Sequence, residues 1–211
     1  MEKFKNAETG QALNTAVPVK FENQDTTVLI NPYAHIAEKA FPAKAQAVLA
    51  KKINEKDIEI RPDGLLYLPG VKFRNILNEA FGRGAWALLP KNTFFDKASA
   101  TVFYHGALFV NGQFVSESIG EQKYQRSNPN TTYATALEGA KTDCLTRCCK
   151  DLGIANELWD PQFRRKWIPK HAVAVWCIGI GSSNKGEKRM LWRRKDEPPF
   201  EYPWKEEAVE S

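Results

Sequence analysis

The chain has 211 residues, 43% of them hydrophobic, and a formal charge of +5. That apolar content is enough to bury a core and excludes wholesale disorder. No run of 18 apolar residues occurs, so the sequence predicts no bilayer-spanning helix and no membrane insertion. The charge is unevenly spread. Residues 163–195 hold ten Lys/Arg against a single acid, Glu187, while the rest of the chain is net acidic. Such a cluster attracts a polyanion, either nucleic acid or an anionic membrane surface.

In chain order, residues 1–30 are polar and without period, and 1–35 is predicted as a flexible N-terminal segment. The opening Met1-Glu2-Lys3-Phe4 shows no secretory or transit signature. Residues 36–52 are rich in Ala and Lys and suit a helix that Pro42 either starts or interrupts. A core domain is expected over 36–160. Within it, 57–69 reads as two short strands around a Pro62-Asp63-Gly64 turn. Residues 71–81 place Val71, Phe73, Ile76, Leu77, Ala80 and Phe81 largely on one side of a helix that Gly82 closes.

Three strands are expected at about 85–95, 101–110 and 113–122, with Asn111-Gly112 as a hairpin turn. After the polar loop 126–132, the strongest helix signal spans about 133–152, where Leu137, Ala140, Cys144, Leu145, Cys148 and Leu152 recur at helical spacing before Gly153. Strands followed by a long helix predict an α+β fold: an antiparallel β-β-β-α core with that helix across one face. Residues 161–211 are read as a basic, aromatic C-terminal extension. It contains a candidate strand at 173–180, a loop at 181–186 and a basic stretch at 188–195, and five of the six tryptophans follow residue 158.

Little in the sequence points to catalysis. Gly181 and Gly186 have the spacing of a phosphate loop, but Glu187 stands where its lysine belongs, so a hairpin loop and no nucleotide cofactor are expected. Asp63, Glu121 and Lys123 match the order of a metal-dependent nuclease, whose two carboxylates hold Mg²⁺ beside a lysine. They are equally ordinary turn and strand-end residues. His35, His105 and His171 fall in no catalytic motif. Cys144, Cys148, Cys149 and Cys177 lack the spacing of a metal or disulfide set and read as small buried thiols, with a redox role for Cys148 and Cys149 left open.

Cations and rings occur together in Arg164-Arg165-Lys166-Trp167 and in Trp192-Arg193-Arg194-Lys195, followed by Tyr202 and Trp204. Lys and Arg neutralise phosphates, and aromatic rings stack on unpaired bases. A membrane-surface helix is excluded over 188–204 by Pro198, Pro199 and Pro203. Single-stranded nucleic acid is the partner this combination predicts, with duplex bound more weakly.

The stretches DIEIRPDGLLYLP (57–69), ILNEAFGRGAWALLP (76–90), GEQKY (120–124), ALEGAKTDCLTRCCKDLG (136–153), ELWDP (157–161) and EYPWK (201–205) resemble the fungal mitochondrial genome maintenance family, from about residue 40 to 205. That family is related to the eukaryotic strand-annealing recombination mediators. The resemblance implies a mitochondrial nucleoid protein that anneals complementary DNA strands without ATP and assembles as a large homo-oligomeric ring around a basic groove. It also implies groove positions at Lys72 and Arg74 and, on the long helix, at Arg147 and Lys150. Thr146 departs from the pattern, standing where the related mediators have a lysine, which shifts weight to the C-terminal basic and aromatic residues. The rival expectations are the nuclease above and a nucleoid packaging protein that coats strands without annealing them.

Overall fold

A computed structural model describes residues 39–124 and 131–207, together with the backbone of two short strands nearer the N-terminus. Those strands, β1 (Val17–Lys20) and β2 (Thr27–Ile30), pair antiparallel, inside the segment whose sequence shows no period. The rest of residues 1–35 and most of the polar loop 126–132 lie outside the described residues. The chain divides into two compact units, residues 1–42 with 81–148, and residues 43–80 with 149–211.

In the first unit, β5 (Trp86–Asp96), β6 (Thr101–Val110) and β7 (Gln113–Lys123) form an antiparallel sheet in the order β5-β6-β7. Asn111 and Gly112 both have positive φ, 51° and 77°. Two such residues make the tight turn whose twist matches the strands it joins, and Val110 pairs with Gln113 across it. The helix α3 (Tyr133–Asp151) begins where Thr132 caps it, its hydroxyl accepting from the Thr135 N–H at 3.1 Å. Small residues let this helix approach the sheet. The Cys144 thiol donates to the Ser118 carbonyl at 3.1 Å and that of Cys148 to Ser116 at 3.8 Å. A Cβ on Gly120 would stand 2.0 Å from the Ala140 carbonyl oxygen and 2.2 Å from the Cys144 nitrogen. Three strands and a helix in this order give the expected α+β core.

The second unit contains α1 (Ala43–Leu49), a 3₁₀ turn at Glu55–Asp57, and the two-residue strands β3 (Glu59–Ile60) and β4 (Leu66–Tyr67). Pro42 precedes α1 rather than interrupting it. Most of α2 (Gly70–Phe81), which buries Phe73 and Leu77, also belongs here. A further 3₁₀ turn (Asn156–Trp159) leads into α4 (Pro161–His171). The sheet of this unit joins β8 (Ala172–Gly179), β9 (Lys188–Arg194) and β10 (Trp204–Glu206) in the order β10-β8-β9. Its core is Ile58, Ile60, Leu66, Trp167 and Ala172, with Ile53, Leu158, Phe163, Ile168 and Trp192 packed against it. The residues read as a C-terminal extension therefore carry a helix and a sheet that share one core with Ile58, Ile60 and Leu66.

The closeness of α3 to β7 has a measurable consequence. Gly120→Ala places a methyl group against backbone atoms that cannot turn aside, and overpacking of this kind costs about 1–3 kcal/mol or more. Urea denaturation of the variant is expected to show a loss at the upper end of that range, with an unchanged slope.

Candidate nucleic-acid interface

Local chemistry sets α4 in place. The Asp160 carboxylate caps its N-terminus by accepting from the Gln162 N–H at 2.8 Å, and Pro161 occupies the first turn, where no N–H is missed. The helix buries Trp167, 1% exposed, whose indole N–H donates to the Glu55 carbonyl at 3.2 Å. Arg164, Arg165 and Lys166 are exposed. Arg164 donates to the Gly64 carbonyl at 3.0 Å. Arg165 and Lys166 have no ion pair among the described residues. At the far end, His171 lies 2.7 Å from Glu55, with Lys170 at 3.9 Å from the same carboxylate. The hydrogen bond with His171 holds the Glu55 carboxyl below its usual range.

Several residues expected to meet DNA serve the fold instead. Trp167 was expected to stack on bases, but its burial in the core leaves no ring face for one. Arg194 is 7% exposed. It donates to the carbonyls of Lys56 at 3.1 Å and Ile58 at 2.5 Å and forms a bidentate pair with Asp196. Arg193 is mostly buried and pairs bidentately with Glu206. Trp192 is half-buried against the core, so close to Gly64 that a Cβ there would stand 3.0 Å from the indole. Lys195 remains exposed, its ammonium donating to the Pro169 carbonyl at 2.7 Å. Trp204 is half-buried with the Arg189 guanidinium 5.3 Å from its ring centroid. Tyr202 stands clear, 75% exposed.

The positions on the earlier helices are also engaged. Lys72 pairs with Asp57 at 2.7 Å, whereas Arg74 is half-buried without an acidic partner among the described residues. Arg147 is exposed but held by Asp143 at 2.9 Å, with Glu121 at 3.9 Å. The Lys150 ammonium sits 3.4 Å above the Trp159 ring. A partly exposed ion pair contributes little to stability, so Lys72 and Arg147 can exchange a carboxylate for a phosphate at small cost.

Two exposed rings carried no distinctive signal in the sequence. Trp159 is 60% exposed beneath Lys150, and Trp176 is 57% exposed on β8. The strand VAVWCIGI was legible, but which face its tryptophan takes depends on packing that its own residues do not declare.

The residues ordered like a nuclease have local duties. Asp63 pairs with Arg61 at 2.9 Å and accepts from the Leu65 N–H at 3.2 Å within its turn. Lys123 donates to the Ser99 carbonyl at 3.0 Å, and Glu121 approaches Arg147. Among the described residues, no group of three His, Cys, Asp or Glu side chains is placed to hold a metal ion. All four cysteines are free and buried, as their composition suggested. Burial pushes the Cys149 thiol up to about 12, which disfavours the reactive thiolate. No helix is long and apolar enough to cross a membrane among the described residues.

Fold and surface together define an α+β protein whose second unit carries a basic helix beside an aromatic sheet. Residues 29–205 match the family model Mgm101p, mitochondrial genome maintenance MGM101, and the chain belongs to that family. It is 46% identical over 174 residues to the mitochondrial genome maintenance protein MGM101 of Mycosarcoma maydis, covering 82% of this chain and 50% of the relative. The mgm101 homolog of Dictyostelium discoideum is 44% identical over 176 residues, covering 82% of this chain and 45% of the relative. MGM101 of Candida parapsilosis is 40% identical over 199 residues, with 94% and 70% covered. This chain thus spans about half the length of the first two.

The Arg194 geometry separates folding from binding. Arg194→Ala leaves the Ile58 and Lys56 carbonyls without their donor, a loss of about 1–3 kcal/mol for each buried group so orphaned. Denaturant titration is expected to show that loss. The hydrogen bond from Arg194 holds the Asp196 carboxyl down at about 2. A depressed carboxyl contributes stability above its unfolded value of about 4, and that contribution disappears as pH falls toward 2. Melting curves between pH 5 and pH 2, ranges set by those values, are expected to fall less steeply for Asp196→Asn than for the parent chain.

Proposed function

We propose that this chain binds single-stranded DNA and anneals complementary strands without ATP, in recombination, repair and maintenance of the mitochondrial genome within the matrix nucleoid. Family membership supports the genome-maintenance part of this reading. The observation that carries the binding part is the row of exposed cations on α4, where Arg165 and Lys166 stand without acidic partners among the described residues while Arg193 and Arg194 are held by carboxylates. Lysine and arginine placed this way release counterions from a phosphate backbone whatever its sequence.

Annealing asks little chemistry of a protein. A strand must be held by its phosphates, extended and with its bases accessible, until a complement arrives. Pairing itself then supplies the free energy, so the reaction needs neither a nucleotide nor a catalytic residue. Assembly into a homo-oligomeric ring would multiply weak contacts from each protomer through effective concentration. That is how a chain with a net charge of only +5 can hold DNA firmly while binding duplex, whose bases are already paired, less well.

Three measurements on the same preparation test this reading. Complementary oligonucleotides are expected to pair faster with the protein than in buffer, with no added nucleotide. Single-strand affinity is expected to exceed duplex affinity and to fall with salt. The double variant Arg165→Ala/Lys166→Ala is expected to reduce the log–log salt slope by about 1.4, at roughly 0.7 per phosphate contact. Binding without faster pairing would point to a packaging protein, and cleavage of labelled DNA in Mg²⁺ would point to a nuclease. An unchanged slope in the double variant would remove α4 from the interface.

A further inference from the structure

The β10-β8-β9 sheet presents its two faces very differently. Cross-strand partners share a face, and successive residues alternate. The pairs Ala172↔Arg194, Ala174↔Trp192, Trp176↔Met190 and Ile178↔Lys188 therefore line one face, and Lys205, opposite Ile178, extends it onto β10. Along that face exposure rises from Ala172 to the Trp176–Met190 pair, and Ile178 beyond it is half-buried. Ala172 and Arg194 are buried at 5% and 7%, and Trp192 is half-buried against the core. Trp176 and Met190, directly opposite each other, are 57% and 53% exposed. Beyond them lie Lys188 and Lys205, both exposed.

We propose that Trp176, backed by Met190, is a stacking platform for an unpaired nucleic-acid base, with Lys205 taking the adjoining phosphate. This rests on the single-strand reading above and names a contact within it. An exposed indole directly opposite an exposed thioether, with two lysines at its edge, offers an apolar surface rimmed by polar residues of the kind that marks a ligand site. β8 is the central strand, hydrogen-bonded on both sides, so the ring is held on a rigid element and loses little freedom on binding. An indole face flanked by a flexible thioether accepts any base, which suits binding without sequence preference.

The charges fit a polyanion. Lys205 has no ion pair among the described residues, while Lys188 is held by Glu207 at 2.5 Å. Glu207 also donates its backbone N–H to the Trp176 carbonyl at 2.9 Å, which puts an acidic residue beside the platform. It moderates the attraction, and its removal frees Lys188 for a second phosphate. The tryptophans singled out by their basic neighbours in sequence, Trp167, Trp192 and Trp204, are all more buried than Trp176.

The test compares oligodeoxythymidylate with an abasic oligonucleotide of equal length, which keeps the phosphates and lacks the bases. Trp176→Ala is expected to weaken binding of oligodeoxythymidylate about tenfold, within the range for loss of one stacked base, and to leave the abasic strand and the salt slope unchanged. Trp176→Phe is expected to restore most of the affinity, Lys205→Ala to reduce the slope by about 0.7, and Glu207→Gln to strengthen both ligands. Unfolding curves of each variant keep a folding defect apart from a binding defect. If the parent chain binds oligodeoxythymidylate and Trp176→Ala binds it equally well, the platform is overturned while the single-strand reading stands. If the parent chain binds neither ligand, both fall. If Trp176→Ala instead changes the mass of the assembly with base-dependent affinity intact, the ring packs against protein and the platform is likewise overturned.

Discussion

The unit formed by residues 43–80 and 149–211 depends on how one guanidinium is buried. Arg194 reaches the carbonyls of Lys56 and Ile58 and is neutralised by Asp196. Burying such a charge is tolerable only when its donors are satisfied and a carboxylate faces it. With Arg194 fixed, the end of β9 is fixed to the segment before β3. The pairing of β9 with β8 then settles which residues of both strands turn inward. Trp167 completes the arrangement from α4, its indole N–H on the Glu55 carbonyl, one residue from the carbonyl that Arg194 meets.

From that anchor the division of labour among the cations follows. Composition alone makes 163–195 a uniform basic band, yet the fold assigns its members different tasks. Arg193 and Arg194 are inward and paired, Arg164 reaches a backbone carbonyl, and Arg165 and Lys166 face solvent. A net charge counted from sequence therefore overstates what a phosphate backbone can meet. The same holds for rings: a tryptophan beside arginines in sequence is as readily a core residue as a stacking one.

How much was legible in the sequence depended on whether the signal was local. The Asn111-Gly112 turn, the three strands around it and the long helix all follow from short-range patterns, and each lies within a residue or two of its expected bounds. The α+β class followed from their order. The helix α4 was not recognised, although Asp160 and Pro161 are an N-cap and first-turn pair, because Pro169 and the dense charge obscure its periodicity. Among the candidate residues, types were legible and exposures were not. Trp167 and Arg194 are buried by contacts more than a hundred residues away in sequence. Trp176 shares its sheet face with buried Arg194 and is exposed because the core packed on that face reaches Ala172 and Trp192 but stops short of Trp176.

The central claim is that an unpaired strand crosses the outward surfaces of α4 and the β10-β8-β9 sheet. Photocrosslinking to a halogenated oligodeoxyuridylate, followed by mass spectrometry of the joined peptides, tests it most directly. Adducts are expected within residues 161–207, with Trp176 or Tyr202 among the modified side chains and Trp167 absent. Adducts confined to residues 81–148, or equal labelling of Trp167 and Trp176 in folded protein, would contradict it.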